Sequence, residues 1–281
     1  MPHSADALTL GATLRLLRVE AGLSLRELAA RVGVSTAYLS RVENGHDAAP
    51  TPERLTAIAR ELDLPAPLLV DLAQRVSPYL ASYLEAEPEA GALFLEIARR
   101  QLDGAALRRL RALLEEAFPL PAARRAPAAP ELAPLVAPAR VLLQLQCAGL
   151  EDALDLCAGR LLSAGEPPGA RALAAALRAR VEQASPALGH GVAVVHAPLP
   201  AGAAPRGALA TLAAPLPGVP TPDGAPVRLL VVLAGGERGR PHLLRLAHVA
   251  RLAARGLAER LAGARTAPAV LERLAQLEAL R

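Results

Sequence analysis

A chain of 281 residues is long enough for about two domains, and with 52% hydrophobic but only 2% aromatic residues its cores must be built from Leu, Ala and Val. The basic residues number 31, all of them Arg, which a GC-rich coding genome explains; the formal net charge is +4, and the pI of about 9.8 suits a polyanionic partner. Residues 1–75 nevertheless hold 8 Arg against 9 acids, while the excess lies after residue 130 at 16 against 11, so charge alone excludes no part of the chain and assigns none to nucleic acid.

In chain order, residues 1–9 read as a loose leader. Leu10, Leu14, Leu17 and Ala21 then make one face of a helix, with Arg15 and Arg18 on its other faces. Ser24 with Glu27 three residues on is a capping box for a second helix, whose Leu25, Leu28, Ala29 and Val32 recur at helical spacing. Gly33 supplies a turn that needs a left-handed residue. Ser35 caps a third helix with Leu39 and Val42 inward and Thr36, Ala37, Ser40 and Arg41 outward, and Asn44-Gly45 ends it. Thr51-Pro52-Glu53 starts a fourth helix that buries Leu55, Ile58, Ala59 and Leu62, and Pro65 and Pro67 open a short fifth one through about Gln74. Two short helices across a Gly turn form a helix-turn-helix, in which the second helix enters the major groove; on the residues alone, a small helical bundle with no DNA role remains the alternative.

The run Leu23 to Gly45 resembles the Xre/lambda-repressor family of regulators. The resemblance implies base contacts near the start of the recognition helix, at Thr36, Ala37 and Tyr38, with Arg41 and Arg26 as further DNA-binding candidates. Asn44 falls at a family position that contacts the DNA backbone, and serves equally as a helix terminator. Arg15 and Arg18 are placed to reach phosphates, which set position on the duplex rather than sequence. Leu25 departs from the Gln that many members use for DNA.

From Val76 to Phe118 the pattern stays helical, punctuated by Pro78 and Pro88. Leu107, Leu110, Leu113 and Leu114 are spaced for burial, with Arg108, Arg109 and Arg111 between them. This stretch is expected either to pair two chains, placing two recognition helices one DNA turn apart, or to cap the N-terminal bundle. Pro119 to Pro130 is a Pro/Ala-rich linker composition.

After Leu132 helix and strand alternate, which predicts an α/β domain of mixed sheet and flanking helices behind the all-α N-terminal bundle. Helices are expected over Leu150–Leu162, Gly169–Gln183 and Pro241–Leu252, and strands over Gly191–Ala197, Ala208–Ala213 and Val227–Ala234, with Pro222-Asp223-Gly224 as a turn. Cys147 and Cys157 have no CxxC spacing and are expected as reduced, buried thiols of a cytoplasmic protein. The longest apolar run, Leu229 to Ala234, is too short to cross a bilayer, and the N-terminus shows no charged-then-apolar leader pattern.

Ser185 to Ala197 (SPALGHGVAVVHA) resembles the active-site segment of the mannitol/fructose/nitrogen class of phosphotransferase-system enzyme IIA domains, and His242 to Leu252 resembles a second segment of that family. The family chemistry is phosphoryl transfer to a histidine, which is partly neutral and nucleophilic near pH 7. By resemblance His196 is the phosphoacceptor, His242 the second histidine and Arg180 an upstream basic residue, with an HPr-like protein as donor. Gly189 and Gly191 would let backbone N–H groups approach the phosphate. The chain departs from the family at Pro186, where a Thr is usual, at Val195, where a Pro is usual, and at Val181, where an acid is common. Two other readings are weighed: a metal site from His190, His196 and His242, which lacks a carboxylate or thiol of matching spacing, and Gly235–Gly239, which lacks the Lys-Ser/Thr of a nucleotide-binding loop. No cofactor and no metal is expected.

These readings combine into a homodimeric regulator that binds double-stranded operator DNA, with no membrane partner. Residues 1–75 are the DNA-binding domain, 76–118 a dimerising extension, 119–131 a linker, and 132–281 a domain that senses phosphotransferase status through His196. The alternatives are a phosphocarrier whose transfer chemistry is its main work, and a repressor whose second domain binds a ligand or a protein.

Overall fold

The computed structural model describes residues 5–73, 83–84, 86–119, 131–236 and 239–279. Residues 1–74 together with 130–281 make one compact unit, and 75–129 make a second. The expected linker falls almost wholly outside the described residues.

The first unit opens with five helices: α1 (Ala5–Glu20), α2 (Leu25–Val32), α3 (Thr36–Glu43), α4 (Pro52–Glu61) and α5 (Ala66–Leu72). The leader expected over residues 1–9 is shorter than that, because α1 already runs from Ala5 and buries Thr9. The capping box of α2 is complete: Ser24 Oγ accepts from Glu27 N at 3.2 Å and Glu27 Oε2 from Ser24 N at 2.7 Å. Gly33 ends α2 at φ 72°, and Ser35 Oγ accepts from Tyr38 N at 3.1 Å to start α3. Leu10, Leu14, Leu17, Leu28, Leu39, Val42, Leu55, Ile58 and Leu62 fill the bundle's core. At Gly11 the backbones of α1 and α3 all but touch. A Cβ there would strike Val42 O and lie 2.8 Å from Glu43 O.

Arg18 does not reach outward as its place on the helix suggests. It is 8% exposed; its Nε and Nη2 donate to Glu43 at 2.6 and 2.8 Å, and its Nη1 donates to Leu23 O at 2.9 Å. A buried guanidinium needs such partners, and a helical wheel does not reveal that one waits on α3.

The same unit continues through two 3₁₀ turns (Ala133–Leu135 and Pro138–Arg140) into β1 (Val141–Leu145), α8 (Leu150–Leu161), α9 (Ala170–Gln183), β2 (Ala187–Gly189), β3 (Val192–Pro198), β4 (Arg206–Leu212), β5 (Leu229–Gly235), α10 (Arg240–Ala254), α11 (Leu257–Ala262) and α12 (Ala267–Glu278). The sheet order is β1-β4-β5-β3-β2. β1 pairs parallel with β4 and β3 with β5, while β4–β5 and β2–β3 are antiparallel. The α/β expectation holds. β1 and the three-residue β2 carry too little pattern to be read from sequence.

Side chains alternate across β3. Ala193, Val195 and Ala197 join the core under α8 and α9, together with Cys157, Leu173 and Leu177. Val192 and Val194 join the core on the other face, which includes α10, α11, α12 and the N-terminal helices. Burial pushes the Cys157 thiol up to about 12, as expected of an inert core thiol, whereas Cys147 is only half-buried, because it sits in the loop after β1.

A buried polar network ties the end of α12 to the start of this domain. Glu278 accepts from Leu132 N at 2.6 Å and Ala133 N at 3.1 Å, and lies 2.6 Å from His248 Nε2. Arg251 Nη2 is 2.8 Å from His248 Nδ1. Arg can only donate, so Nδ1 accepts and Nε2–H donates to the carboxylate. Burial raises the Glu278 pKa, but the hydrogen bonds from His248, Leu132 and Ala133 outweigh it, and the net shift is downward. A depressed folded-state pKa gives stability that is present above the unfolded carboxylate value and lost as pH falls through the folded one. Glu278→Gln should therefore flatten the acid side of the stability curve in denaturant titrations from pH 7 to 3. Glu278→Ala, which leaves buried donors unpaired, should cost about 3 kcal/mol.

The second unit contains α6 (Pro88–Arg99) and α7 (Gly104–Ala117). Asp103 caps α7 by accepting from Ala106 N at 2.8 Å. Leu107, Leu113 and Leu114, expected to be buried, are 41%, 61% and 47% exposed; Leu110 is half-buried. Helical spacing marks an apolar face but says nothing about what covers it. Leu93, Phe94, Leu95 and Phe118 add to the exposed apolar surface.

Candidate functional site

His196 lies near the C-terminal end of β3 on the face opposite Val195, and is 6% exposed. β2 ends the sheet edge at Ala187, so beyond it Arg180 from the last turn of α9 reaches the imidazole. Arg180 Nε donates to His196 Nε2 at 3.2 Å. His242, from the first turn of α10, brings its Nε2 to 3.2 Å from His196 Nδ1, with ring centroids 4.7 Å apart. Because an arginine only donates, Nε2 of His196 keeps its lone pair and Nδ1 carries the proton toward His242. Burial lowers the His196 pKa despite the neighbouring carboxylate of Glu20, so the ring is neutral and nucleophilic at neutral pH.

Sequence reasoning placed His196, His242 and Arg180 together, and the fold brings all three to one point. It missed the fourth member. Glu20, the last residue of α1, places Oε1 at 2.5 Å from Arg180 Nη2 and 3.4 Å from His196 Nε2, and Oε2 at 3.5 Å from His242 Nε2. Nothing local marks Glu20; it is a charged residue at a helix end, more than 150 residues away in the chain. Burial raises its pKa, but contacts with His196 and His242 and the charge of Arg180 win, leaving it far below the usual carboxylate range. The contact therefore persists through mildly acidic pH and is lost only as pH falls through that depressed value. Arg180 Nη1 is buried without a hydrogen-bond partner among the described residues, which leaves one donor unused.

α1 is seated on this face along its length. It packs against β2 and α10, and α5 also packs against α10. A Cβ on Gly189 would run into Thr9 Cγ2. Gly189 and Gly191 therefore do not serve the imidazole. Their turn lies about 15 Å along β3 from His196, and there His190 N donates to Asp223 at 2.6 Å. The three histidines weighed as a metal set are separated for the same reason. Glu20, His196 and His242 do offer ligand atoms within 4.8 Å of one another. Two nitrogens and an oxygen are a plausible zinc set, but the Arg180 guanidinium contacts two of the three and would oppose a cation. Of the family departures, Val195 points into the opposite core, Val181 packs against that core, and Pro186 O accepts from Val194 N at 2.9 Å.

On the helix-turn-helix, Thr36, Ala37, Arg26, Arg41 and Asn44 are exposed on the described surface and Tyr38 is half-buried. Arg54 stacks over the Tyr38 ring at 4.9 Å. Arg41 Nε is shared with Asp47 at 3.0 and 3.1 Å, and Asn44 Nδ2 caps its own helix at Ser40 O, 2.8 Å away. A cleft bordered by Arg15 and Asn44 on one side and Ser185 and Pro220–Pro222 on the other separates this region from the sheet domain.

Residues 135–276 match the model of the family described as phosphoenolpyruvate-dependent sugar phosphotransferase system, EIIA 2, and residues 14–69 match that described as helix-turn-helix. The HTH-type transcriptional repressor RghR of Bacillus subtilis is 38% identical over 82 residues, which are 29% of this chain and 55% of that protein. The chain thus spans about half the length of this curated relative. Among solved structures, nitrogen regulatory protein IIA-Ntr from Neisseria meningitidis aligns at 22% identity and a TM-score of 0.43, covering 50% of this chain and 97% of its own. The clp gene regulator ClgR from Corynebacterium glutamicum aligns at 27% identity and a TM-score of 0.23, covering 42% of this chain and 100% of its own. No helix among the described residues is long and apolar enough to cross a membrane.

Proposed function

Since the chain belongs to the phosphoenolpyruvate-dependent sugar phosphotransferase system EIIA 2 family and joins that domain to a regulator-type helix-turn-helix, we propose that it is a cytoplasmic, homodimeric transcriptional regulator that binds operator DNA and reads phosphotransferase status by phosphorylation of His196. The observation that carries this reading is the pairing of a neutral imidazole with a buried guanidinium that keeps one donor unused. His196 Nε2 attacks the phosphorus of a phosphohistidine on an HPr-like donor. The N–P bond to His196 forms as the donor's N–P bond breaks and its electron pair returns to the donor imidazole. The negative charge of the transferred group falls beside Arg180. As positive charge builds on the ring, the Nδ1 proton passes to His242 Nε2, which relieves it.

Thr36, Ala37, Tyr38, Arg26 and Arg41 are assigned to DNA, and Asn44 to its backbone. The exposed apolar face of α6 and α7 is assigned to pairing with a second copy. Incubation with the purified donor system and phosphoenolpyruvate should add one phosphate mass to the wild type and none to His196→Ala. No gain in the wild type with cognate donors would overturn the acceptor role.

A further inference from the structure

We propose that Glu20 is an internal stand-in for the phosphoryl group: its carboxylate occupies the phosphate position of the His196–His242–Arg180 site, seats the helix-turn-helix there, and must leave before His196 can be phosphorylated. The inference rests on His196 being the acceptor and adds how that site is regulated.

Three observations carry it. First, the occupant is chemically matched. A carboxylate, like a phosphoryl group, presents anionic oxygens to a guanidinium, and Glu20 addresses Arg180 and lies beside both histidines with its two oxygens. Second, the volumes coincide. A phosphorus bonded to Nε2 would carry its oxygens into the space where Glu20 Oε1 stands, 3.4 Å from that nitrogen. Third, the two anions repel. A phosphoryl group brings roughly 1.5–2 negative charges against a carboxylate that is 15% exposed. Glu20 has little freedom to step aside alone, because α1 is held along the same face by Thr9 over Gly189 and by its packing on β2 and α10. Ejecting the carboxylate therefore loosens the helix. By linkage, whatever pulls α1 from the sheet domain makes His196 easier to phosphorylate.

The test uses the full chain as wild type, Glu20→Gln and Glu20→Ala, the Gln variant keeping the shape should Ala fold poorly. Initial rates of phosphorylation by a charged HPr-type donor should rise about ten-fold or more in the variants, the factor expected if the seat is filled about nine-tenths of the time. Phosphorylating the wild type should speed hydrogen exchange in α1 and β2. A donor-free probe, carbethoxylation of His196 by diethyl pyrocarbonate read by peptide mass, should likewise be faster in the variants. Equal phosphorylation rates with unchanged exchange would overturn the stand-in while leaving His196 as acceptor. Absence of phosphorylation in all three chains would overturn the acceptor reading and this inference with it. Equal carbethoxylation would refute the seat itself.

Discussion

Replacing Glu43 by Ala is expected to lower the unfolding free energy by about 3–5 kcal/mol, because it removes one half of a buried ion pair and strands the other. Glu43 and Arg18 are 4% and 8% exposed. The guanidinium makes two bonds to the carboxylate and a third to Leu23 O, so it cannot swing to water without breaking the join between α1 and α3. Gly11 tightens that join further by letting the two backbones meet. Chemical denaturation of Glu43→Ala, Arg18→Ala and the double variant would form a cycle. The double variant should recover part of the loss, since no charge is then left buried alone. A Glu43→Ala change below about 1 kcal/mol would mean that the helices repack freely and that the pair is not a fixed strut.

Leu113→Asp combined with Leu114→Asp should convert a dimer to a monomer and weaken binding to a selected palindromic operator about 100-fold or more. Joining two half-site readers makes the second contact intramolecular, and losing the join forfeits that gain. The two leucines are 61% and 47% exposed, beside Leu107 at 41% and Phe118 at 76%. Asp at those positions removes nothing from the described core, so folding should survive while association fails. Light scattering reads the first effect and a DNA titration at fixed salt the second. A variant that stays dimeric would move the interface elsewhere. A wild type that is monomeric at micromolar concentration would remove it.

Short-range chemistry made the helix-turn-helix legible. Ser24, Glu27, Gly33 and Ser35 each act within four residues, and each does in the fold what its type and spacing predict. His196, His242 and Arg180 could be named because a family pattern gathers them, although no local period connects β3 to α9 or α10. What stayed hidden depends on partners remote in the chain. Glu43 converts Arg18 from a surface cation into a buried one. Glu20 joins a site assembled beyond residue 179. Glu278 satisfies amide groups at Leu132 and Ala133, 146 and 145 positions away. β2 escaped for a different reason: three residues are too few to show alternation.

The alternation of β3 divides the domain's tolerance to change. Ala193, Val195 and Ala197 face α8 and α9, so exchanges among small apolar residues there are absorbed first by the core beneath those two helices. Val192 and Val194 share their face with His196 and with the N-terminal helices. A sequence drifting at the first set acts first on the packing of α8 and α9, whereas the same drift at the second set acts on the face where the N-terminal helices rest. Variation can therefore accumulate beneath one side of a single strand while the other side is held constant by everything that rests on it.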